Sequence, residues 1–305
     1  MDKALQWEEM APRNFAGSGG SIQALDDKLY YTGAYSQRFS DGGENTFQPP
    51  EKYDPVTNQW TVIHSPDVPR AYGVSVAHEG KLYFLGGLNP GYGIPQEVVE
   101  IYDPQKNFWS RGPKLPFDPN TVYLRGAVSS GGKIYVSAED GGGELLSLDL
   151  AKGIWEENHW ANPDPEASEV HGNLNITPYG TLLGYEGKVY LFVDGINGWT
   201  TYVFDPATKQ WSWEANMWDG KFSTCYWTYG GRIFQGGGGS IRTYDPRTGI
   251  TERTAIVGVE RDDFSSSSVA VLDDYVYVLA SGDNSNRKEL YRASLKNLKD
   301  LYLKD

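Results

Sequence analysis

Short apolar and aromatic stretches alternate along this chain with tight polar turns, and the arrangement returns with a period of about 50 residues. A small turn, a basic or polar residue and an apolar–aromatic pair occur together six times. The copies are Asp27-Lys28-Leu29-Tyr30, Gly80-Lys81-Leu82-Tyr83, Gly132-Lys133-Ile134-Tyr135, Gly187-Lys188-Val189-Tyr190, Gly231-Arg232-Ile233-Phe234 and Asp274-Tyr275-Val276-Tyr277. Each follows a short apolar stretch, so each predicts a tight turn entering a strand whose β-branched and aromatic residues suit a buried pleated surface.

A second element follows the first. It reads Tyr53-Asp54-Pro55 running to Trp60, Tyr102-Asp103-Pro104 to Trp109, Leu148-Asp149 to Trp155, Phe204-Asp205-Pro206 to Trp211, and Tyr244-Asp245-Pro246 to Thr251. Asp accepts from nearby backbone N–H groups and Pro fixes φ at the next position, which predicts a turn joining two antiparallel strands. An aromatic enters that turn in four of these five copies, and in four a Trp leaves it. Rings of this size are suited to filling the wedge between neighbouring sheets.

The sixth copy lacks its outgoing Trp: Ala293 takes the aromatic position and Asp300 falls where Trp belongs. Conversely, Trp7-Glu8-Glu9-Met10-Ala11-Pro12-Arg13 resembles the outgoing Trp strand with its later Pro and Arg, as in Trp60, Pro66 and Arg70. No strong first or second strand precedes it. The orphan strand at one end and the missing strand at the other are complementary, so the N-terminal segment is expected to complete the sixth repeat. The competing arrangement supplies that strand locally from Leu301-Tyr302-Leu303.

Composition agrees with many short strands and glycine turns: 36 Gly, 21 Tyr and 10 Trp, without a triplet period. A net charge of −13 with no long Lys/Arg run disfavours nucleic acid or an anionic membrane as partner. Cys225 is the only cysteine, so neither an intrachain disulfide nor a cysteine-rich zinc site is available. That usage suits a reducing compartment. The first residues lack the apolar stretch of a secretory signal and no segment is long enough to span a bilayer. A cytoplasmic protein is expected.

The phased motifs resemble the kelch repeat family, whose four-stranded repeats form propeller blades. The family's diglycine survives as Gly86-Gly87 and Gly236-Gly237 and is loose in the other copies. The resemblance covers nearly the whole chain and implies an all-β, six-bladed kelch-type propeller of four-stranded antiparallel blades. Residues 1–305 are then expected to be one domain, its ring closed by the N-terminal strand. Radial closure also answers the physical problem that isolated blades expose their faces and edges.

Local catalytic signatures are absent: no HExxH, no phosphate-binding GxxxxGK[ST], no GxSxG, and no GxGxxG joined to a βαβ pattern. The four histidines, His64, His78, His159 and His171, form no evident ligand set, and no metal or cofactor is expected. Cys225-Tyr226 does not reproduce the arrangement of the family's copper oxidases, nor is the Glu-x-x-x-Asp-x-x-x-His run of its iron-dependent specifier proteins present. Blade topology directs attention instead to the loops between blades and those joining second to third strands, which normally meet on one face around the axis. Candidate ligand-binding residues there are Arg13, Arg70, Tyr72, Tyr123, Arg125, Trp199, Tyr226 and Arg261, since Arg beside aromatic rings suits planar, anionic or protein ligands. Arg70 and Arg125 stand out, each near Tyr72 or Tyr123. The long loop from Ala34 to Glu51 is expected to form a lid or recognition surface, equivalent loops elsewhere being much shorter. The resemblance implies a binding or interaction module acting on a protein or small-molecule ligand through this central loop face. The alternative is a cofactor-free isomerase, epimerase or cyclase acting on a small molecule in the axial pocket.

Overall fold

Each of the six repeated turns is a β-hairpin in the computed structural model, which describes residues 4–36, 46–89, 94–116, 123–139, 145–159, 181–195, 198–218, 225–237, 240–257, 268–280 and 288–296. In five hairpins both turn residues have positive φ: Asp26-Asp27, Glu79-Gly80, Gly131-Gly132, Glu186-Gly187 and Gly230-Gly231. Such turns have the twist that matches the flanking strands, so they close a two-residue connection without splaying it.

The strands build six four-stranded antiparallel blades, the architecture of a six-bladed β-propeller. After β1 (Ala4–Met10), blade one uses β2 (Ser21–Leu25), β3 (Lys28–Thr32), β6 (Glu51–Asp54) and β7 (Gln59–Val62). Its long loop contains a small ladder, β4 (Tyr35–Ser36) with β5 (Thr46–Phe47). Blade two is β8 (Val74–His78), β9 (Lys81–Leu85), β12 (Val99–Asp103) and β13 (Phe108–Arg111), with a second small ladder of β10 (Leu88–Asn89) and β11 (Ile94–Pro95). Blade three is β14 (Tyr123–Ser130), β15 (Lys133–Glu139), β16 (Leu145–Asp149) and β17 (Ile154–Asn158). Blade four is β18 (Thr181–Tyr185), β19 (Lys188–Gly195), β20 (Gly198–Asp205) and β21 (Gln210–Trp218). Blade five is β22 (Cys225–Tyr229), β23 (Arg232–Gly237), β24 (Ser240–Asp245) and β25 (Ile250–Val257). Blade six contributes β26 (Ser268–Leu272), β27 (Tyr275–Leu279) and β28 (Leu290–Ser294). The loop of blade one is therefore not alone in its elaboration: blade two carries a ladder of the same kind between its second and third strands.

Cross-strand register explains why an aromatic enters the second turn and a Trp leaves it. Tyr53 pairs with Trp60, Tyr102 with Trp109, Leu148 with Trp155, Phe204 with Trp211 and Tyr244 with Thr251. In three blades the paired rings lie 5.1 Å apart at tilted angles. Opposed aromatic pairs of this kind are a favoured stabilising unit of a sheet. The turn between them is held by its Asp. Asp54 accepts from the Val56 N–H at 2.9 Å, Asp205 from Ala207 at 2.9 Å and Asp245 from Arg247 at 3.0 Å. The recurrent basic residue reaches across the same end of the blade. Lys28 meets Asp54 at 3.4 Å, Lys133 meets Glu156 at 2.8 Å and Arg232 meets Glu252 at 2.7 Å.

Chain contacts divide the molecule into two compact units. One comprises Met1–Tyr72 with Phe222–Asp305 and holds blades one, five and six; the other, Gly73–Lys221, holds blades two, three and four. Within each unit the apolar core lies between the faces of successive blades. Leu5, Trp7, Trp227, Phe234 and Val278 fill one such layer, and Tyr135, Val189, Leu191, Tyr202 and Phe204 fill another. Polar latches cross the layers. In the first unit Trp60 Nε1 donates to the Ala11 carbonyl at 2.8 Å, and the Ala11 N–H donates to Asn58 Oδ1 at 2.8 Å. In the second, Trp211 Nε1 donates to the His159 carbonyl at 3.2 Å, and His78 Nδ1 lies 2.7 Å from Ser129 Oγ.

Blade six is completed by the N-terminal strand. Trp7 pairs with Ala293, Glu8 with Arg292, Glu9 with Tyr291 and Met10 with Leu290, all antiparallel. Trp7 thus takes the outgoing-Trp position opposite the small residue of the degenerate repeat. β28 lies between β27 and β1, so its outer edge is filled; Leu301-Tyr302-Leu303 lies outside the described residues. The sequence did not disclose that β1 also reaches blade five: Ala4, Leu5 and Gln6 run parallel to Ala255, Ile256 and Val257 of β25.

Two predictions follow from this packing. Deleting residues 1–10 exposes the edge of β28, and is expected to lower thermal and urea midpoints and promote aggregation. Trp7→Ala in the intact chain is expected to lose roughly 3–5 kcal/mol; unchanged midpoints in both proteins would overturn the closure. The second concerns alkaline pH. Burial pushes the Tyr53, Tyr102 and Tyr135 phenols up to about 12, and burial with the bond to Asp274 does the same for Tyr229. The folded state thus favours the neutral phenol. Its stabilisation is complete below the ordinary value near 10 and is lost as pH rises toward about 12. Tyrosinate absorbance should rise together with loss of near-ultraviolet dichroism in that window; titration of these phenols near pH 10 without unfolding would contradict it.

Candidate functional site

The linker that leaves β1 is fixed to blade one by a charge pair. Arg13 Nε lies 3.1 Å from Glu51 Oε2, with both side chains at most 1% exposed. The guanidinium also lies over the Tyr31 ring, 3.9 Å from its centroid. Glu51 Oε1 accepts from the Asn14 backbone N–H at 3.0 Å and from Asn14 Nδ2 at 2.8 Å. Several donors converge on one buried carboxylate, the condition under which an interior charge is tolerated. Gly20 closes this corner, because a Cβ there would meet the Tyr31 ring at 2.5 Å.

Beyond Arg13 the same linker pairs with the long loop. The Ser18 N–H donates to the Tyr35 carbonyl and the Tyr35 N–H to the Ser18 carbonyl, both at 2.9 Å. Linker and second-to-third loop therefore meet in blade one, as the topology of a blade led us to expect. The next linker joins them: the Tyr72 N–H donates to the Gly19 carbonyl at 3.0 Å. The Tyr72 ring packs on Gly19, where a Cβ would come within 2.5 Å of it, and lies 6.0 Å from the Tyr35 ring. Tyr72 has φ +59° and is 46% exposed. A bulky residue in the left-handed region is strained and persists where its surroundings determine it. Desolvation, and secondarily Tyr72, raises the pKa of the Tyr35 phenol, so the Tyr35 ring is a neutral hydrogen-bonding aromatic near pH 7.

The other sequence-derived candidates take different positions. Arg70 is 2% exposed and donates Nη1 to the Val68 carbonyl at 3.0 Å, so it braces its own loop. Arg125 is exposed and sits in β14 at a register shift between Leu124 and Gly126. A bulge of this kind re-aims the side chain it carries. Tyr123 lies at the start of the same strand, paired with Glu139, and Trp199 lies in β20 opposite Asp194. Tyr226 is buried, and its hydroxyl accepts from Gln235 Nε2 at 3.1 Å. Arg261 lies outside the described residues. Arg13 and Arg70 are thus buried within the linkers and Tyr226 within the sheet of blade five, whereas Tyr72 and Arg125 are presented at the surface.

Sequence reasoning passed over Ser18, Gly19 and Glu51. Ser18 acts through its backbone, which leaves no side-chain signal. Glu51 had a readable one: a carboxylate two residues before the strand's inward aromatic, repeated as Glu100 before Tyr102, and both are buried. Among the described residues no three His, Cys, Asp or Glu side chains converge as a metal site, and no helix is long and apolar enough to cross a membrane.

Comparison with known proteins agrees with this architecture. A family model described as the Kelch motif matches residues 69–116, which span blade two. An F-box/kelch-repeat protein of Arabidopsis thaliana is 34% identical over 221 residues, covering 68% of this chain and 42% of that protein. Kelch-like protein 36 of Mus musculus is 33% identical over 111 residues, covering 36% of this chain and 18% of its own length. The chain belongs to the kelch-repeat propeller family. The solved structure of YjhT superposes on this kelch propeller with a TM-score of 0.66, covering 93% of this chain and 95% of that one; at 13% identity it speaks to fold alone. The chain spans less than half the length of these curated kelch relatives.

The buried pair yields a quantitative expectation. Arg13→Met leaves Glu51 without its cation and is expected to cost roughly 3–5 kcal/mol in urea denaturation. The double substitution Arg13→Met, Glu51→Leu should recover most of that loss. Equal destabilisation of single and double variants would show that the pair does not act as a unit.

Proposed function

We propose that this kelch propeller is a protein-recognition module. Its binding surface in the first unit is the linker and second-to-third-loop cluster around Tyr72, and in the second unit Arg125 is a separate contact residue. The observation that carries the reading is Tyr72: a strained, half-exposed ring seated on Gly19 and Tyr35 by the Ser18–Tyr35 backbone pair. Holding a non-glycine residue there costs on the order of 1–2 kcal/mol. A preorganised aromatic of this kind offers contact area at low entropic cost on binding. Exposed Arg125 adds a planar donor array that suits carboxylate or carbonyl oxygens. The name of the Arabidopsis thaliana relative pairs kelch repeats with an F-box, so there the repeats belong to a larger protein, consistent with a recognition part.

Cross-linking mass spectrometry on partners captured from a cell lysate tests this. Cross-links are expected on the linkers 11–20 and 63–72 and near residue 125. Tyr72→Ala and Arg125→Ala should weaken capture while circular dichroism is unchanged; loss of a charge-assisted contact by Arg125 is worth about 1.5–3 kcal/mol. Asp27→Ala, at a first-hairpin turn, should have no effect. Cross-links concentrated on the hairpin turns, or capture unaffected by both loop variants, would overturn the assignment.

A further inference from the structure

The outer strands of the blades are not alike. β7 and β13 have four residues and β17 has five, whereas β21 has nine and β25 eight. What the long form is good for is visible in blade five. There the far half of β25, Ala255–Val257, takes Ala4–Gln6 on its outer side as a parallel fifth strand. In blade four β21 is the end of its sheet, and among the described residues no strand lies beyond it.

The first part of β21, Gln210–Trp213, pairs regularly with β20, and the register shifts of the strand fall beyond it. The β21 sequence, Gln-Trp-Ser-Trp-Glu-Ala-Asn-Met-Trp, contains no Lys, Arg or Pro, and Trp213 is 41% exposed. A long edge without such residues is a template for pairing with another chain. From these observations we propose that the outer edge of β21 docks an extended segment of a partner protein as a fifth strand, by main-chain pairing, with a Lys or Arg of that segment at Trp213 and Glu214.

The cation is argued from charge. Glu214 is the only charged residue of β21, and it is the extra residue of a bulge: Tyr202 pairs with Trp213, while the preceding Thr201 pairs with Ala215. The bulge breaks strict alternation there and re-aims the carboxylate next in sequence to the indole. An aromatic face and a carboxylate together favour an ammonium or guanidinium group. A net charge of −13 further favours a basic segment and sets a second copy of this chain against itself. Strand addition of this type draws affinity from backbone bonds and selectivity from alternate side chains.

The probes are two synthetic peptides, one alternating Lys with Val and one alternating Glu with Val, added to the full chain. The Lys peptide is expected to bind saturably and to slow amide exchange within residues 210–218, and the Glu peptide to do neither. Trp213→Ser, with an unchanged fold checked by circular dichroism, should weaken Lys-peptide binding roughly two- to fivefold. Four results would each overturn the proposal: no binding of the Lys peptide, slowed exchange elsewhere than β21, equal protection by the Glu peptide, or unchanged affinity in Trp213→Ser. Concentration-dependent self-association in sedimentation that alone protects β21 would assign the edge to a second copy and overturn it equally.

Discussion

Every blade sets an outgoing Trp, or its substitute, opposite an inward residue of the third strand, and the rest of the structure depends on satisfying that opposition six times. Five blades do so within a local hairpin. The sixth has Ala293 at the inward position and takes Trp7 from the other end of the chain. A small residue facing a large one keeps the volume of the layer filled without overpacking it. The Glu8–Arg292 contact and the Arg292 side chain over Tyr275 then fix the register from the polar face. Without β1, Trp227, Val276 and Val278 would lose part of their cover, and the outer edges of both β25 and β28 would be open.

Much of this was legible because repetition multiplies weak signals. One Asp-Pro turn is ambiguous; several in phase with a Trp fix the strands that flank them. Trp7 and Ala293 were readable as complements because each broke the period in the opposite sense. The parallel pairing of Ala4–Gln6 with β25 was not readable, since three residues of a strand carry no period of their own. The loop residues were harder still. Arg13 and Arg70 follow prolines in loop sequence and read as surface cations, yet both are buried. The partner that buries Arg13 is Glu51, supplied by the third strand across a loop of irregular length. Likewise, nothing in the letters Arg-Ala-Tyr-Gly announces that Tyr72 is left-handed; Gly19 and Tyr35 impose that from a preceding linker and loop.

The contrast between the buried and exposed cations separates framework from presentation. Buried beside Glu51 and Tyr31, Arg13 holds the linker in place, and removal of either charge would strand the other. Solvent-facing Arg125 sits at a bulge in β14, which re-aims its side chain.

The double attachment of β1 also has a consequence for the order in which the chain is made. Residues 4–10 leave the ribosome well before the strands they pair with, β25 and β28, which are synthesised some 240 to 290 residues later. During that interval Leu5, Trp7 and Met10 have no native neighbours from blades five and six. The contact that finishes the fold is thus also among the longest in sequence separation, which slows its formation. A nascent chain of this kind carries an apolar strand in waiting, and its acidic pair, Glu8 and Glu9, supplies charge that opposes premature association in the meantime.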